Sequence, residues 1–258
     1  MKIEDFDYFL PKNLIAQKPT IPKSNSKLLV ASSEEIISFY DLPCILDKEN
    51  LLIFNDTKVL PAVIEGSVNN KKILVTLHTK NISGKWVAFS KPSKRISKGD
   101  EIHFYDNLVG YVLEKNESHL ILKFNLNNDK LLLILNKYGQ LPVPPYIKGV
   151  SNRKKDEIYY QSIFANNIGA FASPTASLHF DDRVMKALKE KDIEFVKITL
   201  HVGAGTFLPL TNSVLKKNHL HEERGIISEK VADKIITAKK NGIKIIAVGT
   251  TVLRLLES

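Results

Sequence analysis

The run ITLHVGAGTFLPL, residues 198–210, sets His201 at the end of a β-branched stretch, just before two glycines spaced as G-x-G. A histidine there suits proton transfer near neutral pH. Gly203 and Gly205 permit positive φ or close approach of a ligand to bare backbone. A dinucleotide site fails on its mechanics, because that fingerprint needs a third glycine and a helix facing the pyrophosphate. Leu208 stands in place of the third glycine, and Pro209 interrupts any helix opened by Thr206. What remains is a strand ending in exposed backbone, either a ligand turn or a plain tight one.

Four other stretches carry chemistry. GAFASPTASLHF (169–180) surrounds Pro174 and Thr175 with small residues, then reaches His179 and Phe180. Small residues let a ligand approach backbone amides, and His179 taken alone reads as structural. In NHLHEERG (218–225), His219 and His221 share a strand face with Glu223. Adjacent residues cannot all point at one ion and no second ligand cluster exists, so no metal is expected. FNDTKVLPA (54–62) places a polar turn, Asn55, Asp56 and Thr57, after an apolar strand. VGTTVLRLLES (248–258) has Thr250 and Thr251 after a buried strand, with Arg254 and Glu257 one helical turn apart.

The elements that must position these residues fall into two compositions. Residues 1–62 mix strand-like runs with proline-rich connections. From Val63 to Asn125 short alternating strands follow one another, separated by turn signals at the spacing of a small antiparallel barrel or sandwich. NNDKLLLILNKY (127–138) predicts a helix stopped at Gly139, and QLPVPPYIKG a stiff extended connection. Beyond it, helix and buried strand alternate twice: DDRVMKALKEKD then EFVKITL, and SEKVADKIITAKKNG then IKIIAVGT. Such alternation argues a parallel or mixed sheet with ligand loops at its strand ends. The expected fold is mixed α/β, built from 1–62 and 151–258, with a small antiparallel β domain, barrel or sandwich, inserted over 63–150.

Composition limits the setting. The 258 residues are 43% hydrophobic and 25% charged, as in ordinary soluble globular proteins. No apolar run nears the roughly 20 residues that span a bilayer, so no membrane partner is expected. The acidic N-terminus lacks a secretory apolar core, and the single cysteine, Cys44, suits a reducing cytosol. A cytoplasmic location is the expectation. The net charge of +9 points to a polyanion. Two basic clusters in turn-rich text are the candidates for nucleic-acid contact: Lys91, Lys94, Arg95 and Lys98, and Arg153, Lys154 and Lys155. A lysine-biased genome would produce the same excess, since lysine outnumbers arginine 32 to 5.

FNDTKVLPA, LPVPPYI, PTASLHF, ITLHVGAGTFLPL, LHEE and VGTTVLRLLES, in that order, resemble the S-adenosylmethionine:tRNA ribosyltransferase-isomerase family of queuosine biosynthesis. The resemblance covers essentially the whole chain and implies a mixed α/β domain carrying an inserted small antiparallel β-barrel domain. It implies transfer and isomerisation of the ribosyl part of S-adenosylmethionine onto 7-aminomethyl-7-deazaguanine at the tRNA wobble position. Epoxyqueuosine would form, with adenine and methionine released. S-adenosylmethionine would be a substrate, with no separate cofactor, and the protein a monomer. Gly203, Gly205 and Thr206 would then face an adenosyl ligand, with Pro174, Thr175, Phe180, Thr250 and Arg254 as further substrate-binding candidates. The sulfonium acidifies the C5′ hydrogens, so a base is needed, His201 ahead of His179. Adenine leaves with a proton, for which Glu223 or the other histidine is the candidate.

The chain departs from the family pattern at several positions. Ser177 stands where PTAGLHF has glycine, Leu208 replaces a glutamine, and Asn218 replaces the first histidine of H-x-M-H. Val252-Leu253 follow GTT where serine or a similar residue is usual. Family members continue past the position of Ser258 through a C-terminal part with a TNFHLP-type motif. The alternative expectation is therefore an inactive truncated remnant that still binds RNA or a nucleotide.

Overall fold

The structure is a computed structural model and describes residues 3–81, 83–117, 119–144, 146–147, 153–203 and 222–258. Near the N-terminus β1 (Lys27–Val30) and β2 (Glu35–Ser38) form an antiparallel hairpin. β3 (Asn50–Asn55) is the central strand of the α/β part, and every one of its residues is buried. β4 (Thr57–Val59) follows after one residue.

The alternating text then folds as expected. β5 (Val63–Val68), β6 (Lys71–Lys80), β7 (Trp86–Lys91), β8 (Glu101–His103), β9 (Val109–Lys115) and β10 (Leu120–Phe124) close into an antiparallel barrel in the order β10-β7-β6-β5-β8-β9. Period-2 alternation turns Ile64, Ile73, Val75, Leu77, Ile102, Leu120 and Leu122 into its core. Each such side chain contributes about 1.5–3 kcal/mol on burial. Closure leaves the barrel no free edge. Helix α1 (Asn128–Tyr138) packs Leu131, Ile134 and Leu135 into the same core. Its N-cap is Asn127, whose side chain accepts the Lys130 N–H at 3.0 Å.

α2 (Arg153–Tyr160) and β11 (Asn167–Ala170) return the chain to the α/β part, where β11 pairs with β4 in parallel. The second basic cluster thus opens a helix, where turn-rich text suggested a loop. RKKDEIYY has no internal breaker, and Asp156 in its first turn complements the helix N-terminus. α3 (Asp182–Glu190) is capped by Asp181, whose carboxylate accepts from the Arg183 and Val184 amides. β12 (Glu194–His201), β13 (Arg224–Ile226), α4 (Glu229–Lys240), β14 (Lys244–Ala247) and α5 (Thr250–Leu256) complete the described chain. Ser228 precedes α4, but only its backbone carbonyl takes part in the cap.

The main sheet has the order β13-β12-β3-β14, with β12 and β14 parallel to β3 and β13 antiparallel at one edge. Both faces of β3 are covered, which is why it reads as a continuous apolar run rather than an alternating one. Leu52 and Phe54 pack with Val184 and Leu188 of α3, while Leu51 and Ile53 pack with Ala238 of α4 and Val252 of α5. The aromatic centre of the first face is dense. Phe54 stacks on Phe164 with centroids 3.9 Å apart and meets Phe180 edge-on at 4.8 Å. The mixed α/β class and the antiparallel barrel are both present. The C-terminal ends of β3, β12 and β14 come together at Asn55, His201 and Val248-Gly249, where a parallel sheet opens its ligand crevice.

Candidate active site

Asn55 binds this junction together. It follows the last buried apolar residue of β3 and is itself fully buried. Its side-chain amide donates to the Leu200 carbonyl and its carbonyl accepts the Leu200 N–H, both at 3.0 Å. A side chain thereby continues the ladder to β12 past the backbone bond from the Asp56 N–H to the Ile198 carbonyl. The same amide lies 3.2 Å from Thr251 Oγ1, and Asn55 Oδ1 accepts the Thr57 N–H at 3.1 Å. Three sequence motifs meet on one buried amide.

Asp56 builds a second polar knot. Thr199 Oγ1 donates to its carboxylate at 2.6 Å, and Asn167 Nδ2 reaches both oxygens at 3.1 Å. His201 lies on the same face of β12 as Thr199. Its Nδ1 is 2.8 Å from Thr57 Oγ1, and its ring covers Gly169. A Cβ on Gly169 would sit 2.6 Å from that nitrogen, so only glycine leaves room for the imidazole. Burial holds the His201 pKa below its ordinary value. The Arg224 guanidinium adds to this, against an opposing pull from Asp56. The ring is therefore neutral near pH 7 and able to accept a proton.

The other side of the strand ends forms a cleft of about 620 Å³. It is lined by Ala172 to Ala176, Gly249 to Thr251, Arg254, Val202, Glu223, Pro144, Tyr146 and Tyr160. Gly249, at φ +92°, turns the chain from β14 into α5, and a Cβ there would come within 3.0 Å of Ala176. Glu223 Oε1 accepts the Gly203 N–H at 2.8 Å, and its Oε2 lies 2.6 Å from Arg254 Nη1. Burial pushes the Tyr160 hydroxyl up to about 12, and the adjacent Ser173 backbone N–H offsets this only in part.

The candidates thus divide. Pro174, Thr175, Thr250, Arg254 and Glu223 line the cleft, and Gly203 is tied to it through Glu223. His201 neighbours Val202 but projects to the Thr57 side. His179 is not among the cleft-lining residues; its Nδ1 is 2.8 Å from Ser26 Oγ, and burial and Lys23 lower its pKa. Phe180 is 2% exposed and belongs to the aromatic core. Gly205 and Thr206, like His219 and His221, lie outside the described residues. Lys91 ends β7, and Lys94 and Arg95 form a short helical turn after it, with Arg95 Nη1 donating to the Lys72 carbonyl at 2.8 Å. Arg153, Lys154 and Lys155 begin α2. Sequence reasoning missed Tyr160 and Ser173 as cleft residues and treated Asn55 as a turn. Asn55 was findable, because a polar residue closing a fully apolar strand must find buried partners.

Comparison with known proteins shows the family. The family described as "Queuosine biosynthesis protein" matches residues 3–258. S-adenosylmethionine:tRNA ribosyltransferase-isomerase of Zymomonas mobilis is 39% identical, covering 100% of this chain and 76% of its own length. The enzyme of the same name from Mesorhizobium japonicum is 40% identical, with the same coverage of both. The solved S-adenosylmethionine tRNA ribosyltransferase of Thermotoga maritima is 27% identical over 98% of this chain and 71% of its own, with a TM-score of 0.43. An inactive remnant is not favoured by these matches. The chain belongs to the queuosine biosynthesis protein family, as an enzyme of the ribosyltransferase-isomerase type.

Proposed function

We propose that this enzyme transfers and isomerises the ribosyl part of S-adenosylmethionine onto 7-aminomethyl-7-deazaguanine at the tRNA wobble position. The products are epoxyqueuosine, adenine and methionine. The observation that supports this most is the cleft itself. Its volume suits a nucleoside-sized ligand, and residues of PTASLHF, LHEE and VGTTVLRLLES line it together. S-adenosylmethionine is a substrate and no further cofactor takes part. The protein acts as a cytoplasmic monomer on its tRNA.

The sulfonium makes the C5′ hydrogens acidic, and His201, neutral near pH 7, takes the proton. Thr57 fixes the ring through Nδ1, which leaves Nε2 for proton transfer. Glu223 already accepts from an amide and a guanidinium. A carboxylate so placed steadies a sulfonium better than it donates a proton to departing adenine. Neither His201 nor His179 is among the cleft-lining residues; His201 stays ahead because it adjoins the lining residue Val202, whereas His179 is held by Ser26.

The test is single-turnover transfer from labelled S-adenosylmethionine to tRNA carrying the deazaguanine base. His201→Ala should slow transfer at least ~100-fold while substrate affinity changes little, because proton abstraction belongs to the chemical step. Unchanged turnover by that variant would remove His201 as the base. Failure of the unaltered chain to bind S-adenosylmethionine would remove the cleft as its site.

A further inference from the structure

Ser173 is 6% exposed, lines the cleft, and its Oγ is buried with no hydrogen-bond partner among the described residues. An unmade buried hydrogen bond costs about 1–3 kcal/mol, so a serine here is an expense where alanine would fit. The neighbouring wall residues Ala172, Pro174, Ala176 and Val202 have no polar side-chain atom to offer it. Ser24, Ser90 and Ser177 also have unpartnered hydroxyls, but none of them lines the cleft.

Tyr160 stands beside it. The phenol belongs to a small apolar cluster with Val59 and Leu141, and the end of its helix is anchored by Gln161. The Gln161 amide donates to the Val59 carbonyl at 2.9 Å and accepts the Val59 N–H at 3.1 Å. The ring is therefore fixed, with the Ser173 backbone next to its oxygen. Burial keeps the phenol protonated at any physiological pH, so it is a permanent donor.

We propose that Ser173 Oγ and the Tyr160 hydroxyl form a neutral pair that hydrogen-bonds the sugar hydroxyls of a nucleoside held in the cleft. The inference rests on the adenosyl reading given under Proposed function and adds which part of the ligand meets this wall. The two charged groups among the described lining residues, Glu223 and Arg254, already pair with each other at 2.6 Å. Ser173 and Tyr160 carry no charge to offset a carboxylate or an ammonium, and two hydroxyls are wasted on a thioether or a ring face. A vicinal diol matches them, because each sugar hydroxyl both donates and accepts. Serine can take either role, while the tyrosine donates.

Isothermal titration of the 258-residue chain with S-adenosylmethionine and with its 2′-deoxy and 3′-deoxy analogues tests the pair. Ser173→Ala and Tyr160→Phe should each weaken S-adenosylmethionine binding roughly tenfold, the loss of one hydrogen bond that leaves its partner unpaired. At least one deoxy analogue should bind a variant and the unaltered chain equally, since the bond is absent from both complexes. Ser173→Ala should not lower the melting temperature of the free protein. That separates a ligand contact from a structural one.

If the unaltered chain and both variants bind S-adenosylmethionine alike, the hydroxyl pair is overturned and the adenosyl site stands. Equal weakening of parent and deoxy ligands in each variant would also overturn it, because the contact would then lie away from the sugar. If the unaltered chain binds neither S-adenosylmethionine nor adenosine, the adenosyl reading falls and this inference with it.

Discussion

Arg254 Nη1 lies 2.6 Å from Glu223 Oε2, and the other oxygen of that carboxylate accepts the Gly203 N–H at 2.8 Å. One side chain thus joins helix α5 to the end of β12. The Glu223 side chain is 8% exposed whereas Arg254 is 45% exposed, so the costs of removing each differ. Arg254→Met should destabilise the fold by about 1–3 kcal/mol, because it strips a buried carboxylate of its charged partner. Glu223→Gln should cost less, since its amide oxygen still accepts from Gly203. Urea denaturation of the two variants orders them, and an Arg254→Met protein as stable as the parent would show the pair to be incidental.

Gly169 and His201 give a steric prediction. A methyl at position 169 must push the imidazole out of hydrogen-bond reach of Thr57. Gly169→Ala should therefore move the His201 pKa back toward its ordinary value of 6.5 and reduce transfer without abolishing substrate binding. Histidine titration by NMR reads the first effect. An unmoved His201 resonance would mean that the ring is held by something other than Thr57.

Stability should fall with acid through the same histidines. Both His201 and His179 have pKa values lowered by burial, so the unfolded chain takes up protons first as pH drops. Their contribution is complete above about pH 6.5 and is lost as pH falls through that value toward the folded pKa values. Urea midpoints measured between about pH 7.5 and pH 5 should decline. The double variant His179→Asn, His201→Asn should give the flatter profile, and a slope as steep as the parent's would assign the acid lability to other groups.

Contact with tRNA should be salt-sensitive. We propose that Lys91, Lys94 and Arg95 beside the barrel and Arg153, Lys154 and Lys155 at the start of α2 meet phosphates. Each such contact releases a counterion, so replacing all six by glutamine should weaken binding and flatten the salt slope. An unchanged slope would reduce the clusters to solubilising charge.

The division into 1–62 with 151–258 and an inserted 63–150 is likewise a proposal. Strands from Val63 to Phe124 and helix α1 share one hydrophobic core, whereas β3 and its helices share two others. Limited trypsin digestion should cut first between Asn152 and Lys155. Early cuts within the barrel strands, with that basic segment intact, would reject the boundary.

Period-2 alternation with turn residues between 63 and 125 narrowed that segment to an antiparallel barrel or sandwich, because only closure or stacking buries so many short half-apolar strands. Helix followed by an apolar run, twice, was enough to specify parallel strands flanked by helices. Motif text also marked Pro174, Thr175, Thr250, Arg254 and Glu223, all of which line one cleft. What it did not contain was direction. His201 and Val202 are consecutive, and a strand sends consecutive side chains to opposite faces, so one lines the cleft while the other meets Thr57. Phe180 sits in the same motif as Pro174, yet the short helical turn Thr175–His179 carries it into the aromatic core. The role of Asn55 depends on partners 145 and 196 residues away, and those of Tyr160 and Ser173 on neighbours in the cleft wall. A one-dimensional pattern records burial and period. Which buried polar groups meet was decided only when the strand ends converged.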